Sequence, residues 1–390
     1  MQKIDLVATC ALGIESIVSR ELKELGYDNV CADNGKVAFQ GTFEDIPKIN
    51  INLRCAGKVF WKIAEFKALT FDELFEKTKA IKWADIIPKN GKFPVSKVLS
   101  VKSKLFSKSD SQAIVKKAIV ESLKKSYKIN FFKEDGPEFS LRLEIIKDIA
   151  VLSINTTGES LHKRAYKKLR SVAPLKETLA AALVNLSRWK GRDDTLLMDP
   201  FCGTGTILIE AAMIAKNIAP GLNRRFVSEK WDFIPEKLWT KQRELAKSQE
   251  ITDTDFRILG SDSDFRILNA ARENIKNVGL EKHIFIQKVP LSQISSKKRY
   301  GTIITNPPYG ERVLEKEETE KLYQEMGALF IKNFPEWSYN IITPNQNFEK
   351  LFKKKANKHR KLYNGGIKCY FYQYFAPKRY KKFVSKEDKG

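Results

Sequence analysis

The sequence contains few of the residues that build metal centres or disulfide frameworks. It has three histidines, and its five cysteines are scattered without a C-x-x-C pair, which argues against a multi-histidine site, a zinc site and disulfides. No stretch reaches the roughly 20 apolar residues of a membrane helix, and no signal peptide precedes the first strand. We therefore expect a cytoplasmic protein with reduced thiols, no metal and no membrane association.

Positive charge, in contrast, is abundant. The 70 Lys and Arg residues outnumber the 47 Asp and Glu residues, which gives a formal net charge of +23. This balance favours a polyanionic partner, most often nucleic acid, although a Lys-rich composition without functional meaning is the alternative. A length of 390 residues exceeds what one hydrophobic core usually supports, so we expect two or three domains.

Two patterns of apolar residues divide the chain. Up to about residue 155, short strands alternate with amphipathic helices, which predicts small α+β domains. From about residue 165 to about residue 345, buried strands alternate with helices, which predicts an α/β domain with a parallel sheet and helices on both faces. The fold class is therefore α/β with an α+β region before it.

A glycine-containing turn stands between a predicted strand and a predicted helix. It runs from Asp199 to Thr206 and reads Asp-Pro-Phe-Cys-Gly-Thr-Gly-Thr. Glycines here let the backbone approach a ligand beyond the carboxyl ends of the strands, and no Gly-Lys-Ser/Thr follows as in a nucleotide P-loop. An ordinary tight turn is the alternative. We predict cofactor contacts for these residues: Asp199, Phe201, Gly203, Thr204 and Gly205.

The next strand of such a sheet is expected to end in an acidic residue that accepts hydrogen bonds from ribose hydroxyls. Asp262 ends the predicted strand over 256–262 and is our candidate. Asp264 is the second choice, but it also precedes a helical pattern and could serve as the N-cap of that helix.

A proline-rich loop, Asn306-Pro307-Pro308-Tyr309, follows another predicted strand. An amine on an aromatic ring is a poor nucleophile because its lone pair is delocalised. A side-chain amide oxygen and a backbone carbonyl can accept its two hydrogens and favour a pyramidal nitrogen. The prolines stiffen the loop, and Tyr309 can stack on a base. We predict that these four residues are catalytic in methyl transfer from S-adenosylmethionine to an exocyclic nitrogen; a structural turn is the alternative.

The segment 161–170 interleaves cations with Tyr166. This composition suits phosphate contacts and stacking, although a solvated interdomain linker would look similar. The candidates for nucleic-acid binding are Lys163, Arg164, Lys167, Lys168 and Arg170.

These motifs, with the segments 158–166, 173–177 and 219–225, resemble the THUMP-containing guanine-N2 RNA methyltransferases, above all the bacterial 23S ribosomal RNA family. The resemblance implies a ferredoxin-like domain over 1–60, a THUMP RNA-binding domain over 61–157 and a Rossmann-like class I methyltransferase domain over 158–390. It further implies S-adenosylmethionine as cofactor, a guanine of 23S ribosomal RNA as substrate and a monomeric cytoplasmic enzyme.

Three features depart from the family pattern. Ala165 stands where the family usually has glycine. The acid that commonly contacts adenine after the third strand is missing around Pro290, so we name no residue for that contact. The chain has one methyltransferase domain, so we expect it to lack the second catalytic half of the fused versions.

Other functions remain open at this point. THUMP-type modules also serve transfer RNA guanine methyltransferases, and the Asn-Pro-Pro-Tyr loop also serves DNA adenine-N6 methyltransferases and a protein-glutamine methyltransferase. An RNA-binding assembly factor without catalysis is a further alternative, although the intact Asp199, Gly203, Gly205 and Asn306 argue against it.

Overall fold

The computed structural model describes residues 2–167, 175–191, 196–310 and 313–377. Contacts divide the chain into two compact units. As far as they are described, the first unit comprises residues 2–167, Lys176–Ala182 and Lys216–Thr252, and the second comprises Leu175, Leu183–Ala215 and residues 253–377.

The elements of residues 2–155 alternate strands and helices, as the sequence predicts. In chain order they are β1 (Ile4–Thr9), α1 (Glu15–Glu24), β2 (Cys31–Asp33), β3 (Lys36–Gly41), α2 (Asp45–Asn52), β4 (Lys58–Lys67), α3 (Phe71–Lys79), β5 (Val95–Val101), α4 (Lys108–Tyr127), β6 (Leu141–Ile146) and β7 (Ile149–Asn155). The described strands form a seven-stranded sheet in the order β2-β3-β1-β4-β7-β6-β5, antiparallel except for the parallel pair β5 and β6.

Local sequence signals explain where two of these helices begin. The Thr70 hydroxyl caps α3 by accepting a hydrogen bond from the Glu73 amide, and the Glu73 carboxylate accepts one from the Leu69 amide. Ser107 caps α4 through the Asp110 amide. In α4, Val115 and Leu123 are among the residues that face the core, so the predicted amphipathic helix is present.

The segment 216–252 packs within the first unit. The Gly221 amide donates to the Ile51 carbonyl at 2.8 Å, and a Cβ at Gly221 would lie 2.7 Å from the Ile51 Cα. The Arg54 guanidinium donates to the Ile218 carbonyl at 2.7 Å. Glycine at position 221 therefore permits a backbone approach that any side chain would block.

The remaining elements build the second unit, apart from α7 and part of α5. They are α5 (Glu177–Ser187), β8 (Leu196–Asp199), α6 (Thr206–Ala215), α7 (Glu236–Ser248), β9 (Ile258–Asp262), α8 (Phe265–Asn277), β10 (Ile284–Lys288), β11 (Gly301–Thr305), α9 (Val313–Asn333), β12 (Ser338–Thr343), α10 (Phe348–Leu351), β13 (Lys358–Asn364) and β14 (Ile367–Tyr374). Helix α7 belongs to the first unit, and the division between the units falls within α5.

The sheet of the second unit is mixed. Its described strands lie in the order β10-β9-β8-β11-β12-β14-β13, and the first five are parallel, as predicted. The antiparallel hairpin of β13 and β14 at the far edge was not predicted. Buried aromatic residues, including Tyr323, Phe330, Tyr339 and Phe352, form the core beside β12. No helix within the described residues is long and apolar enough to cross a membrane.

Ala165 provides a test of local backbone strain. Its φ of 68° lies in the left-handed region, which glycine adopts without a Cβ penalty, and its side chain is exposed. We expect Ala165→Gly to stabilise the protein by about 1 kcal/mol, because the strain disappears while no packing contact is lost. Calorimetric melting would show a higher midpoint.

The matched control is Ala113→Gly, at an exposed position within α4. There glycine should destabilise by about 1 kcal/mol, since it replaces the best helix former. A lower melting midpoint for Ala165→Gly would contradict the strain argument.

Candidate cofactor and catalytic site

The motifs that the sequence analysis selected follow neighbouring parallel strands. Strand β8 pairs with β9 on one side and with β11 on the other, in registers that align Met198 with Leu259 and with Ile303. The carboxyl ends of parallel strands lie at one edge of a sheet, where ligands bind in open α/β folds. A cavity of about 1020 Å³ lies at this edge and is lined by residues of all three motifs.

The turn after β8 exposes backbone to this cavity. Gly203 has a φ of 52°, and its amide donates to the Asp262 carboxylate at 3.0 Å. A Cβ at Gly203 would meet no other atom within 4 Å, so a side chain here would extend into open space beside the cavity lining. The turn thus offers a cradle that glycine keeps open, as expected for a site that a cofactor approaches closely.

The other predicted residues of the turn differ in position. Asp199, Phe201 and Thr204 line the cavity with Gly203, whereas Gly205 is not part of the lining. Gly205 has a φ of 80°, and a Cβ there would lie 3.5 Å from the Ala271 side chain on α8. Gly205 therefore serves the turn geometry and helix packing in this structure.

Asp199 is a buried carboxyl group at the centre of the site. Its Oδ1 accepts hydrogen bonds from the Thr305 hydroxyl at 2.6 Å and from the Phe201 amide at 3.1 Å. Burial raises the pKa of Asp199 to about 7, and the nearby Asp262 acts in the same direction, whereas both hydrogen bonds lower the pKa. The carboxyl group thus titrates near neutral pH.

The two acids at the end of β9 have separate roles. Asp262 lines the cavity, and its two oxygens accept from the amides of Gly203 and Asp264, which leaves each oxygen a further lone pair for a hydroxyl donor. Asp264 caps α8 by accepting from the Arg266 amide at 2.8 Å. Of the two candidates, only Asp262 lies in the cavity lining.

The wall after β10 is apolar where the family commonly has an acid. Val289, Pro290 and Leu291 line the cavity together with Ile267 from α8. Apolar side chains suit the faces of a planar ring, and backbone groups can supply hydrogen bonds to its edge.

The loop after β11 brings all four predicted catalytic residues to the cavity. Asn306 Oδ1 accepts a hydrogen bond from the Tyr309 hydroxyl at 2.6 Å. The Pro308 carbonyl accepts one from the Tyr323 hydroxyl at 2.8 Å, and Tyr323 also contacts the Thr343 hydroxyl at 2.9 Å. The loop is therefore held from beneath by side chains of α9 and β12.

Tyr309 is packed inward at its hydroxyl end. Burial raises the pKa of Tyr309, and nearby Cys369 adds to this effect; the Cys369 thiol lies 3.7 Å from the hydroxyl. In this arrangement the Tyr309 hydroxyl uses one lone pair of the Asn306 oxygen. A target amine must use the second lone pair or displace that hydroxyl.

Sequence reasoning missed the residues that support the site. Thr305 precedes the Asn306 loop and could have been suspected as the last residue of its strand. Tyr323, Thr343 and Cys369 carry no local signal, because they reach the loop only through the packing of α9, β12 and β14.

The described cations predicted to bind nucleic acid are engaged within the first unit. Arg164 is buried and donates to the carbonyls of Leu161 and Arg54. Lys163 pairs with Glu159, and the Lys167 ammonium lies 3.5 Å from the Glu177 carboxylate. Lys168 and Arg170 lie outside the described residues. Nucleic-acid binding by this segment stays a prediction.

Within the described residues, no cluster of three or more His, Cys, Asp or Glu could hold a metal ion.

The open space at Gly203 generates a prediction about cofactor binding. We expect Gly203→Ala to lower S-adenosylmethionine affinity at least tenfold, because a methyl group would enter the space that the cofactor needs. Gly279→Ala is the matched control: Gly279 also has a positive φ, 67°, and a Cβ there meets nothing within 4 Å. Calorimetric titration should show normal affinity for the control. Equal losses in both variants would assign the effect to backbone strain.

The raised pKa of Asp199 predicts a pH-dependent stability. Because its folded pKa of about 7 exceeds the 3.8 of an ordinary Asp side chain, the folded state holds the proton more tightly, and stability falls as pH rises between these values. Asn keeps the acceptor oxygen without the charge. Asp199→Asn should therefore match wild type near pH 4 and exceed it by roughly 2–4 kcal/mol above pH 7.

Calorimetric melting from pH 4 to 8 measures this difference. The same variant should bind cationic S-adenosylmethionine more weakly at pH 8, since a negative charge is lost. A difference in melting midpoint that stays constant across the range would contradict the assignment of the titrating group.

Three domain families match consecutive parts of the chain. Residues 5–60 match the RlmL ferredoxin-like domain, residues 68–155 match the THUMP domain, and residues 164–373 match the RMKL-like methyltransferase domain, UPF0020. The last match alone covers more than half of the chain.

Known proteins resemble the chain over nearly its whole length. YpsC of Bacillus subtilis (strain 168), provisionally named an RNA methyltransferase, is 47% identical over 97% of this chain and 98% of its own. The ribosomal RNA large subunit methyltransferase K/L of Syntrophotalea carbinolica is 33% identical over 94% of this chain but 53% of its own, so this chain spans about half the length of that relative.

A solved structure agrees with the fold. SMU.472, a provisionally assigned methyltransferase complexed with SAH, superposes with a TM-score of 0.91 at 42% identity, over 97% of this chain and 100% of that one. With both sequence and fold in agreement, this chain belongs to the RMKL-like methyltransferase family and carries the RlmL ferredoxin-like and THUMP domains ahead of its methyltransferase domain.

Proposed function

We propose that the protein transfers a methyl group from S-adenosylmethionine to the N2 amino group of a guanine in 23S ribosomal RNA. The observation that carries the proposal is one cavity in which the Gly203 cradle and Asp262 meet the Asn306 loop. A cofactor-sized space thus adjoins acceptors suited to an amine on a ring. The names of the relatives support RNA as the substrate class. The structure of SMU.472 contains SAH, which is the product that S-adenosylmethionine leaves after it loses its methyl group, and this supports the cofactor.

The residues present fit the cofactor. Gly203 leaves space for close approach, and Asp262 has lone pairs for the ribose hydroxyls. Ile267, Val289 and Leu291 offer apolar surface for the adenine ring. When bound there, S-adenosylmethionine supplies an electrophilic methyl group on a positively charged sulfur.

The chain's own part in the reaction is to prepare the nucleophile. The Asn306 oxygen accepts one N–H of the target amine, and a carbonyl of the Pro307-Pro308 pair accepts the other. Both bonds favour a pyramidal nitrogen with an available lone pair, so they strengthen toward the transition state. Tyr323 fixes the Pro308 carbonyl from beneath, which holds the acceptors in place before the substrate arrives.

Nucleoside mass spectrometry tests the substrate. Purified protein and S-adenosylmethionine are incubated with one nucleic acid at a time. The nucleic acids are 23S ribosomal RNA, transfer RNA and DNA from a strain that lacks the gene. N2-methylguanine in 23S ribosomal RNA supports the proposal. N2-methylguanine in transfer RNA, or N6-methyladenine in DNA, would replace it with the corresponding alternative.

Asn306 is the residue on which turnover should depend most. Asn306→Ala should lower single-turnover methylation by roughly 10²–10³-fold, the range for losing one preorganised polar contact. S-adenosylmethionine affinity should change much less, because the contact forms mainly in the transition state. Tritium transfer to RNA, measured beside calorimetric cofactor binding, tests both statements.

Tyr309→Phe is the companion variant. It removes the hydroxyl that contacts the Asn306 oxygen but keeps the ring for stacking, so its rate should stay near wild type. A wild-type rate from Asn306→Ala would refute the mechanism and leave the loop a structural role.

A further inference from the structure

A second cavity, in the first unit, has a polar and positively charged lining. It measures about 280 Å³ and lies at one end of the seven-stranded sheet. Thr9 ends β1, Lys58 begins β4 and Asn155 ends β7, while Lys97 of β5 and Arg142 of β6 lie beside them. The lining thus combines strands from the ferredoxin-like match and from the THUMP match, which share this sheet.

Three positive charges line this cavity, and the carboxylates near them lie outside its lining. Lys58, Lys97 and Arg142 line the cavity, and none of its described lining residues is acidic. Lys97 and Arg142 are direct partners in the parallel pairing of β5 and β6. Like charges placed opposite each other are unfavourable in a sheet, and an anion between them would relieve the repulsion.

Lys58 shows the same cost. It is half-buried, and burial together with the positive charges of Lys97 and Arg142 lowers its pKa, against partial compensation from Glu138 and Glu159. Neither the Lys58 nor the Lys97 ammonium has a hydrogen-bond or ion-pair partner within the described part of the chain. The two groups therefore retain all their donors for a ligand.

Arg142 is oriented by the protein but not fully paired. One Nη donates to the Glu144 carboxylate at 2.6 Å, and the guanidinium lies 5.0 Å from the centre of the Phe60 ring. Its Nε is buried and has no hydrogen-bond partner among the described residues. Charged oxygens are the acceptors that guanidinium groups bind best, so the N–H groups of Arg142 that Glu144 does not use suit an anion.

We propose that this cavity binds a phosphate of the RNA backbone, held by Lys58, Lys97 and Arg142. This inference rests on the proposed function, because it takes RNA to be the substrate. A backbone phosphate suits the site better than a base, since the donors are cationic and the cavity is small. The phosphate contact would position the substrate without reading its sequence.

Charge-neutralising variants test the site. Fluorescence anisotropy measures the affinity of Lys58→Gln and Lys97→Gln for a labelled RNA hairpin at several KCl concentrations. Each variant should weaken binding about 5- to 10-fold, as for one lost charged hydrogen bond, and losing the phosphate contact should reduce the log–log salt slope by about 0.7–0.9. Lys89→Gln, at an exposed position of the same unit, is the matched control and should change neither quantity appreciably.

The melting temperature distinguishes the loss of a phosphate contact from a destabilised fold. Without RNA, Lys58→Gln should melt at the same or a higher temperature than wild type, because a repulsive charge is removed. Wild-type affinity in both cavity variants, or an equal loss in Lys89→Gln, would overturn the proposal. Calorimetry with inorganic phosphate forms a separate arm: submillimolar affinity that depends on Lys58, with unchanged RNA binding, would assign the site to free phosphate instead.

The outcomes separate this inference from the proposed function. RNA binding that depends on Lys58 without methyl transfer to RNA would refute the function and leave the phosphate site. Methyl transfer to RNA with unaltered binding by the variants would refute the phosphate site alone. A wild-type protein that binds no RNA would overturn both.

Discussion

The hydrogen bond between the Thr305 hydroxyl and the Asp199 carboxylate is the interaction on which the edge of the sheet beside the candidate site depends. It joins the last residue of β11 to the last residue of β8, at 2.6 Å and in a buried environment. The same carboxylate oxygen accepts a hydrogen bond from the Phe201 amide, so one side chain contacts both the start of the glycine turn and the strand that leads into the Asn306 loop. Burial makes the ionised form of this carboxyl group costly, as its raised pKa indicates, and the two hydrogen bonds offset only part of that cost.

A second set of hydrogen bonds holds the loop after β11, on the other side of the cavity. Tyr323 connects the Pro308 carbonyl to Thr343, and Tyr309 connects Asn306 to the region of Cys369. The proline ring fixes φ at each of two successive positions but leaves the carbonyl direction to the neighbours. The prolines therefore limit the conformations of the loop, and the Tyr323 hydroxyl from α9 favours one of those conformations by its hydrogen bond to the Pro308 carbonyl.

The sequence predicts the parts of this protein whose determinants are local. The glycine turn and the acid at the end of β9 depend on residues a few positions apart, and each has the predicted local structure. The contact between Asp199 and Thr305 spans 106 positions, and the packing of the segment 216–252 on α2 depends on the small size of Gly221 beside Ile51. Hydrophobic periodicity indicates which face of an element is buried, but it does not identify the element that covers it. The hairpin of β13 and β14 and the inward position of the Tyr309 hydroxyl likewise depend on long-range packing, so local sequence signals do not predict them.

The cations illustrate the same limit. The segment 161–170 is the densest basic motif near the domain boundary, yet Arg164 lies buried against backbone carbonyls and Lys167 beside Glu177. Lys58, Lys97 and Arg142 are far apart in the sequence and stand out in no local window, but the pairing of β4, β5, β6 and β7 brings them to one cavity. The number of basic residues in a sequence segment shows how much positive charge the segment carries. The ability to bind an anion depends instead on the hydrogen-bond donors that have no partner after folding. Among these described cations, Lys58 and Lys97 keep their donors without partners and lie on strands, so strand pairing can gather an anion site that no basic run in the sequence marks.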